Sequence, residues 1–96
     1  MNPTTYKQIR TVMAPYVKKG IPYRKKQLKR LLAIIEDIFE HEPYLNENLS
    51  RVGRKQMMGY WRRTAHETHK TRKEKYDVLK LFFDAAQLKR KVPCPK

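Results

Sequence analysis

Three groups of side chains in this sequence are capable of more than packing: a histidine pair, a single thiol and a large excess of cations. His66 and His69 flank Glu67 and Thr68. A zinc helix of the HExxH kind needs its histidines four residues apart, so that both rings leave one face one turn apart. Here they are three apart, across a stretch predicted to begin a helix, and zinc chemistry does not follow. Cys94 sits between Pro93 and Pro95 with no histidine beside it in the chain. That environment is wrong for an activated nucleophile, and one cysteine builds neither a disulfide framework nor a cysteine-based finger. Glu36, Asp37, Glu40, Glu42 and Glu47 could hold Mg²⁺ in principle, but a solvated helix end accounts for them more simply. Gly20, Gly53 and Gly59 are scattered singly and form no phosphate loop. No catalytic residue, metal, cofactor or small-molecule substrate is expected.

The cations point elsewhere. Across 96 residues, 23 Lys+Arg stand against 9 Asp+Glu, a net charge of +14. A field this positive favours a phosphate-rich partner. The charge is segregated: residues 1–35 hold nine basic and no acidic residues, 36–50 five acidic and no basic ones, and 51–96 fourteen basic against four acidic. A uniformly basic tail would lack the acidic middle, so the pattern predicts a folded body with positive faces. At 40% apolar residues the chain can bury a modest core, and at this length it is one domain. No apolar run approaches the ~20 residues of a membrane span, and no secretory h-region opens the chain. The expected setting is a reduced cytoplasm, with association to the nucleoid.

The elements that must position these charges are helical. From Tyr23 onward, Leu28, Leu31, Leu32, Ile35, Ile38 and Phe39 fall on one stripe of a helix of about five turns. Pro22 suits its first turn, and Gly20 breaks what precedes. Pro43 and Asn46–Ser50 predict a loop, then a short helix from Arg54 to Thr64 with Met57, Met58, Trp61 and Ala65 on one side. Thr68 is the N-cap candidate of a last helix running to about Leu88, with Tyr76, Leu79, Phe83 and Ala86 as its stripe. A weaker pattern (Tyr6, Ile9, Val12, Met13) predicts a short helix before Pro15. No strand alternation or repeat is visible. The reading is all-α: a bundle of three or four helices formed by residues 22–92, an N-terminal segment 1–21, and a tail or linker start at 93–96.

Two helices carry their charge the wrong way round. Arg24, Lys25, Lys26, Lys29 and Arg30 crowd the start of the long helix and Glu36, Asp37, Glu40 and Glu42 its end. Lys70, Arg72, Lys73 and Lys75 crowd the start of the last one. The macrodipole favours the reverse by about 0.3–1 kcal/mol per charge, so these starts answer to an anion outside the chain.

From Tyr23 to Pro95 the order of features resembles the N-terminal core-binding domain of tyrosine recombinases, the phage-integrase group with a SAM-like helical fold. Three stretches carry the resemblance: YRKKQLKRLLAIIEDIFEHE, LSRVGRKQMMGYWRRT and THKTRKEKYDVLKLFFDAAQLKRKVPCPK. In the last, Thr68 and Thr71 hold the places of a Ser/Thr-x-x-Thr helix start, and Leu79, Phe82 and Phe83 those of a Leu-x-x-Phe-Phe core. The resemblance implies binding of double-stranded DNA in recombination or integration, with two helices laid across adjacent major grooves. Carried over by residue, it implies DNA contacts from Arg24, Lys25, Lys26, Lys29 and Arg30, and from Lys70, Thr71, Arg72 and Lys75. It also implies a recombinase catalytic domain or further recombinase subunits as partners. These 96 residues contain no such catalytic domain, and the His69-to-Arg72 spacing that matches part of its site is taken as chance.

Two other readings stand beside this one. A small basic RNA-binding or ribosome-associated protein would use exposed tyrosines for stacking, notably Tyr16, Tyr23 and Tyr44. A helical protein-interaction module would use the acidic 36–48 segment, against which the charge of +14 counts. Lys89 and Lys91, past the core-facing part of the last helix, are expected to add less to DNA binding.

Overall fold

The computed structural model describes residues 1–95. Four α-helices follow in order: α1 (Pro3–Val17), α2 (Pro22–His41), α3 (Arg54–Arg63) and α4 (His69–Ala85). Two 3₁₀ turns, Pro43–Leu45 and Leu49–Arg51, join α2 to α3, and no strand occurs among the described residues. The protein is an all-α helical bundle.

Helix α2 is its axis, because its stripe is the longest and the most completely buried. Leu31, Ile34, Ile35 and Ile38 are wholly inaccessible to solvent, and α1, α3 and α4 all pack on them. The stripe is rotated slightly from the sequence expectation. Ile34 is in the centre, while Leu28 and Leu32 are only partly buried at its edges. The other helices close the core with Ile9 and Met13, with Met57, Tyr60 and Trp61, and with Val78, Leu79, Phe82 and Phe83.

Helix α1 runs past Pro15 to Val17. Proline in the last turn removes one hydrogen bond, and that loss is outweighed where the surrounding residues pack. Met13 is buried, and Tyr16 packs against the core edge. The helix begins at Asn2, whose Oδ1 accepts the Thr5 amide at 2.8 Å. Helices α1 and α2 form an antiparallel hairpin. The Met1 amino group lies 3.8 Å from Glu36 Oε1, and Arg24 donates to the Tyr16 carbonyl at 3.1 Å. Residues 1–21 therefore share one core with the rest of the bundle.

At its start α4 is capped as expected: Thr68 Oγ1 accepts the Thr71 amide. Its end comes earlier than Leu88. Gln87 takes a left-handed conformation (φ 57°), its amide bonds the Asp84 carbonyl, and the Leu88 amide bonds the Phe83 carbonyl at 2.9 Å. This is a Schellman termination, usually marked by glycine; with glutamine at the left-handed position the sequence carried no stop signal. Beyond it the chain turns back. Val92 is buried, and the Trp61 indole N–H donates to the Pro93 carbonyl at 3.0 Å. The tail is thus a strap lying over α3 and α4.

Two stability measurements test these features. Ile35→Ala is expected to cost about 2–5 kcal/mol in urea unfolding, the range for a fully buried isoleucine. Gln87→Gly is expected to stabilise by about 1 kcal/mol, because glycine relieves the strain of the left-handed residue. Destabilisation by the glycine would mean that the Gln87 side chain does more than terminate the helix.

Candidate nucleic-acid interface

The starts of α2 and α4 lie side by side, joined by Gln27, Arg30 and Glu74. Gln27 is buried, and its Nε2 donates to the Glu74 backbone carbonyl at 2.8 Å. Arg30 Nη1 donates to Gln27 Oε1 at 3.0 Å and to Glu74 Oε1 at 2.8 Å. The Arg30 hydrogen bond is the main reason that the Glu74 carboxyl is held below its ordinary 4.5, against partial burial, which raises it. The charges of Arg30, Lys70 and Lys26 lower it further. One carboxylate thus feels cations from both helix starts, which places Lys26 of α2 and Lys70 of α4 around the same point.

The nine residues singled out in the sequence divide into two groups. Lys25, Lys26, Lys29 and Lys70 are exposed and form no ion pair among the described residues. The other five are engaged within the fold. Arg24 lies 5.0 Å over the Tyr16 ring while bonding that residue's carbonyl. Arg30 is the α2–α4 link just described. Arg72 donates to the Trp61 carbonyl at 2.8 Å and lies over the Trp61 ring. Thr71 accepts a hydrogen bond from the Thr68 hydroxyl at 3.0 Å. Lys75 donates to Tyr60 Oη at 2.8 Å and to both Glu67 oxygens at 3.0 and 2.8 Å. Burial alone would lower the Lys75 pKa, but the hydrogen bonds it donates to Glu67 and Tyr60 outweigh it and raise it above 10.5. Its contribution to stability is full below the ordinary lysine pKa and fades only as pH rises through the raised value.

Sequence reasoning passed over two parts of this surface. Lys18 and Lys19 end α1 immediately before the turn into α2, and both are exposed. Gln27 reads as one more polar residue in a basic run, yet it stands four and seven residues before Leu31 and Ile34 and so falls on the buried stripe. That spacing was the available signal. No side chain caps the α2 N-terminus, and its first turn holds no acidic residue. Dipole and lysines there add in the same sense, toward an anion.

The remaining chemistry-bearing residues do not assemble. Among the described residues no three His, Cys, Asp or Glu side chains are placed to hold a metal, and no helix is long and apolar enough to cross a membrane. Cys94 is exposed on the strap. Arg63 bonds Asp37 through Nε at 2.9 Å, so part of the acidic segment is used in fastening α3 to α2.

The arrangement predicts a specific acid sensitivity. A carboxylate whose folded pKa is depressed contributes stability that is full above its unfolded pKa and is lost as pH falls through the folded value. Glu74→Gln should therefore lower Tm at neutral pH, and the gap to the parent should close as pH falls below 4.5. Thermal unfolding monitored by circular dichroism across that range checks it; a gap independent of pH would detach Glu74 from the α2–α4 junction.

In comparison with known proteins, no family model matches the chain, and neither a curated relative nor a solved structure does.

Proposed function

We propose that the protein binds double-stranded DNA through the adjoining starts of α2 and α4, as the SAM-like core-binding module of an integrase-like tyrosine recombinase. The observation that carries this reading is the Gln27–Arg30–Glu74 junction, which draws two cation-rich helix starts together and leaves Lys25, Lys26, Lys29 and Lys70 unneutralised at the surface. Phosphate oxygens meeting this surface find ammonium groups and the positive end of α2 together. The resemblance over residues 23–95 adds the duplex as the form of polyanion, and a recombinase catalytic domain as the partner that would supply chemistry.

The division of the nine residues refines the mechanism. Lys25, Lys26, Lys29 and Lys70 make the phosphate contacts. Arg24, Arg30, Arg72 and Lys75 hold the helix starts in position, and Thr71 belongs to the α4 cap. Point charges on flexible stems give attraction with little base selection, so affinity belongs in the nonspecific range of roughly 10⁻⁴–10⁻⁶ M at physiological salt.

The RNA reading retains one favourable observation: Tyr23 and Tyr44 expose 45% and 58% of their surface. Tyr23 stands at the second residue of α2, beside the lysines, where an unpaired base could stack.

Binding to a short duplex, followed over a salt series, tests the proposal. The log–log slope should be about −0.9 per phosphate neutralised, and Lys25→Ser with Lys29→Ser should flatten it by about one unit per lost contact. Replacing Arg72 and Lys75 should instead lower thermal stability, since both bind within the fold. An unaltered slope in the lysine variant, or tighter binding to structured RNA of equal length, would overturn the duplex reading.

A further inference from the structure

Most arginines of this chain are occupied. Arg10 lies over Tyr6, Arg24 over Tyr16, Arg30 binds Glu74, Arg51 the Tyr44 carbonyl, Arg63 Asp37 and Arg72 the Trp61 carbonyl. Arg54, Arg62 and Arg90 are the exceptions: among the described residues they form no hydrogen bond, ion pair or ring contact, and all are exposed. All three stand at α3. Arg54 opens that helix, Arg62 is its ninth residue, and Arg90 Nη1 would lie 2.9 Å from a Cβ added to Gly53, the residue before Arg54.

While Met57, Tyr60 and Trp61 of α3 are buried, Arg54, Met58 and Arg62 recur at every fourth residue and form one stripe outside. Lys55 and Gly59 lie beside it. Gly59 adds no side chain, so nothing stands above the helix backbone there except the guanidinium of Arg62, 3.9 Å from where a Cβ would be, and that of Arg63. The carboxylates are on other sides. Gln56 and Arg63, on the far flank, turn to Tyr44 and Asp37. Asp84 lines a groove with Arg90 and Lys91 further along α4, which sets Arg90 apart from the stripe.

This stripe continues the surface at the start of α4. Arg54 and Met58 line a groove with Tyr76 and with Lys91, Val92 and Pro93 of the strap. Tyr76 lines the next groove with His69, Arg72 and Lys73, and no acidic residue among those described lines either. Tyr76 is six residues from Lys70, or about 9 Å along the helix, within the ~8–10 Å over which charges act in salt. One polyanion therefore meets both. The ten residues of α3 make a rod about 15 Å long and 10–12 Å across, which a major groove ~12 Å wide admits. Arg54 and Arg62 are about 12 Å apart along it, three to four base-pair steps of ~3.4 Å.

We propose that α3 reads base edges in the major groove of the same duplex, with Arg54 and Arg62 each selecting a guanine. An uncommitted guanidinium fork matches guanine O6 and N7, which a lysine does not. The inference rests on the duplex-binding reading and adds base selection to it. The test is selection by the full chain from short duplexes randomised at their centre. Two guanines three or four steps apart should be enriched, each favoured by about 5–150-fold, the discrimination of one bidentate pair. Arg54→Lys and Arg62→Lys keep the charge and lose the fork. Each should bring affinity for the selected duplex down toward that for an unselected one, by the factor of one guanine, with folding checked by circular dichroism. A 7-deazaguanine at either position, which lacks the N7 acceptor, should weaken binding of the parent chain, a result independent of any variant. Lys25→Ser with Lys29→Ser should weaken selected and unselected duplexes alike. Duplex binding without selection, selection unchanged in both folded lysine variants, or indifference to 7-deazaguanine would each overturn the role of α3 and leave the first interface standing. Absence of binding to any duplex would instead overturn the duplex reading itself.

Discussion

The stripe of α2 that begins at Gln27 and continues through Leu31, Ile34, Ile35 and Ile38 fixes both the core and the surface above it. The isoleucines and leucine have only one place to go, against α1, α3 and α4, and full burial of each contributes about 1.5–3 kcal/mol. Gln27 extends the same stripe by one turn, beyond the reach of the apolar core. A buried amide needs partners, and it finds one in the Glu74 backbone while Arg30 completes the set. The register that packs the core is therefore also what sets the start of α4 beside the start of α2. A one-residue rotation of α2 would expose Ile34 and release Gln27 together.

A chain of +14 must fold against its own repulsion, and the few carboxylates are used for that. Asp37 binds Arg63 and fastens α3 to α2, Glu74 binds Arg30 and fastens α4 to α2, and Glu67 binds Lys75 and closes the turn between α3 and α4. Exposed pairs are worth about 0–1 kcal/mol, and these three gain from partial burial and multiple hydrogen bonds. Each neutralises a cation already inside the bundle. Lys25, Lys26, Lys29 and Lys70 stand outside these pairs, so the excess charge of the sequence becomes the charge of the surface.

The helices were legible in the sequence because their signals are local. The 3.6-residue stripe of α2, Thr68 as a cap and Pro22 in a first turn all lie within a few residues of what they determine. What escaped was long-range or lacked a marker. Ile34 entered the core because three helices, α1, α3 and α4, all pack on α2. Helix α1 passes Pro15 because Met13 and Tyr16 are held by packing that no local pattern reveals. The end of α4 was hidden by a glutamine in a glycine's place, and the strap by a Trp61–Pro93 contact spanning 32 residues. Among the candidate interface residues, the sequence separated basic from apolar positions, but it could not separate a cation bound inside the fold from one left outside. That distinction depends on which carboxylate or ring the topology brings near, as with Glu67 for Lys75.

Among the nine candidate residues every arginine is engaged, whereas Lys75 is the one lysine that is. Arg24, Arg30, Arg63 and Arg72 are engaged within the bundle, on tyrosine and tryptophan rings or on carboxylates, where a planar guanidinium is well matched. Of the nine candidate interface residues, those left outward are lysines. A lysine attracts phosphate as a point charge, but it lacks the rigid fork with which arginine reads guanine in the major groove. With its arginines committed to the fold, this end of the bundle would, under the proposed reading, position a sugar–phosphate backbone rather than select a sequence. Sequence selection would then fall outside these helix starts, which would supply orientation and residence on the duplex.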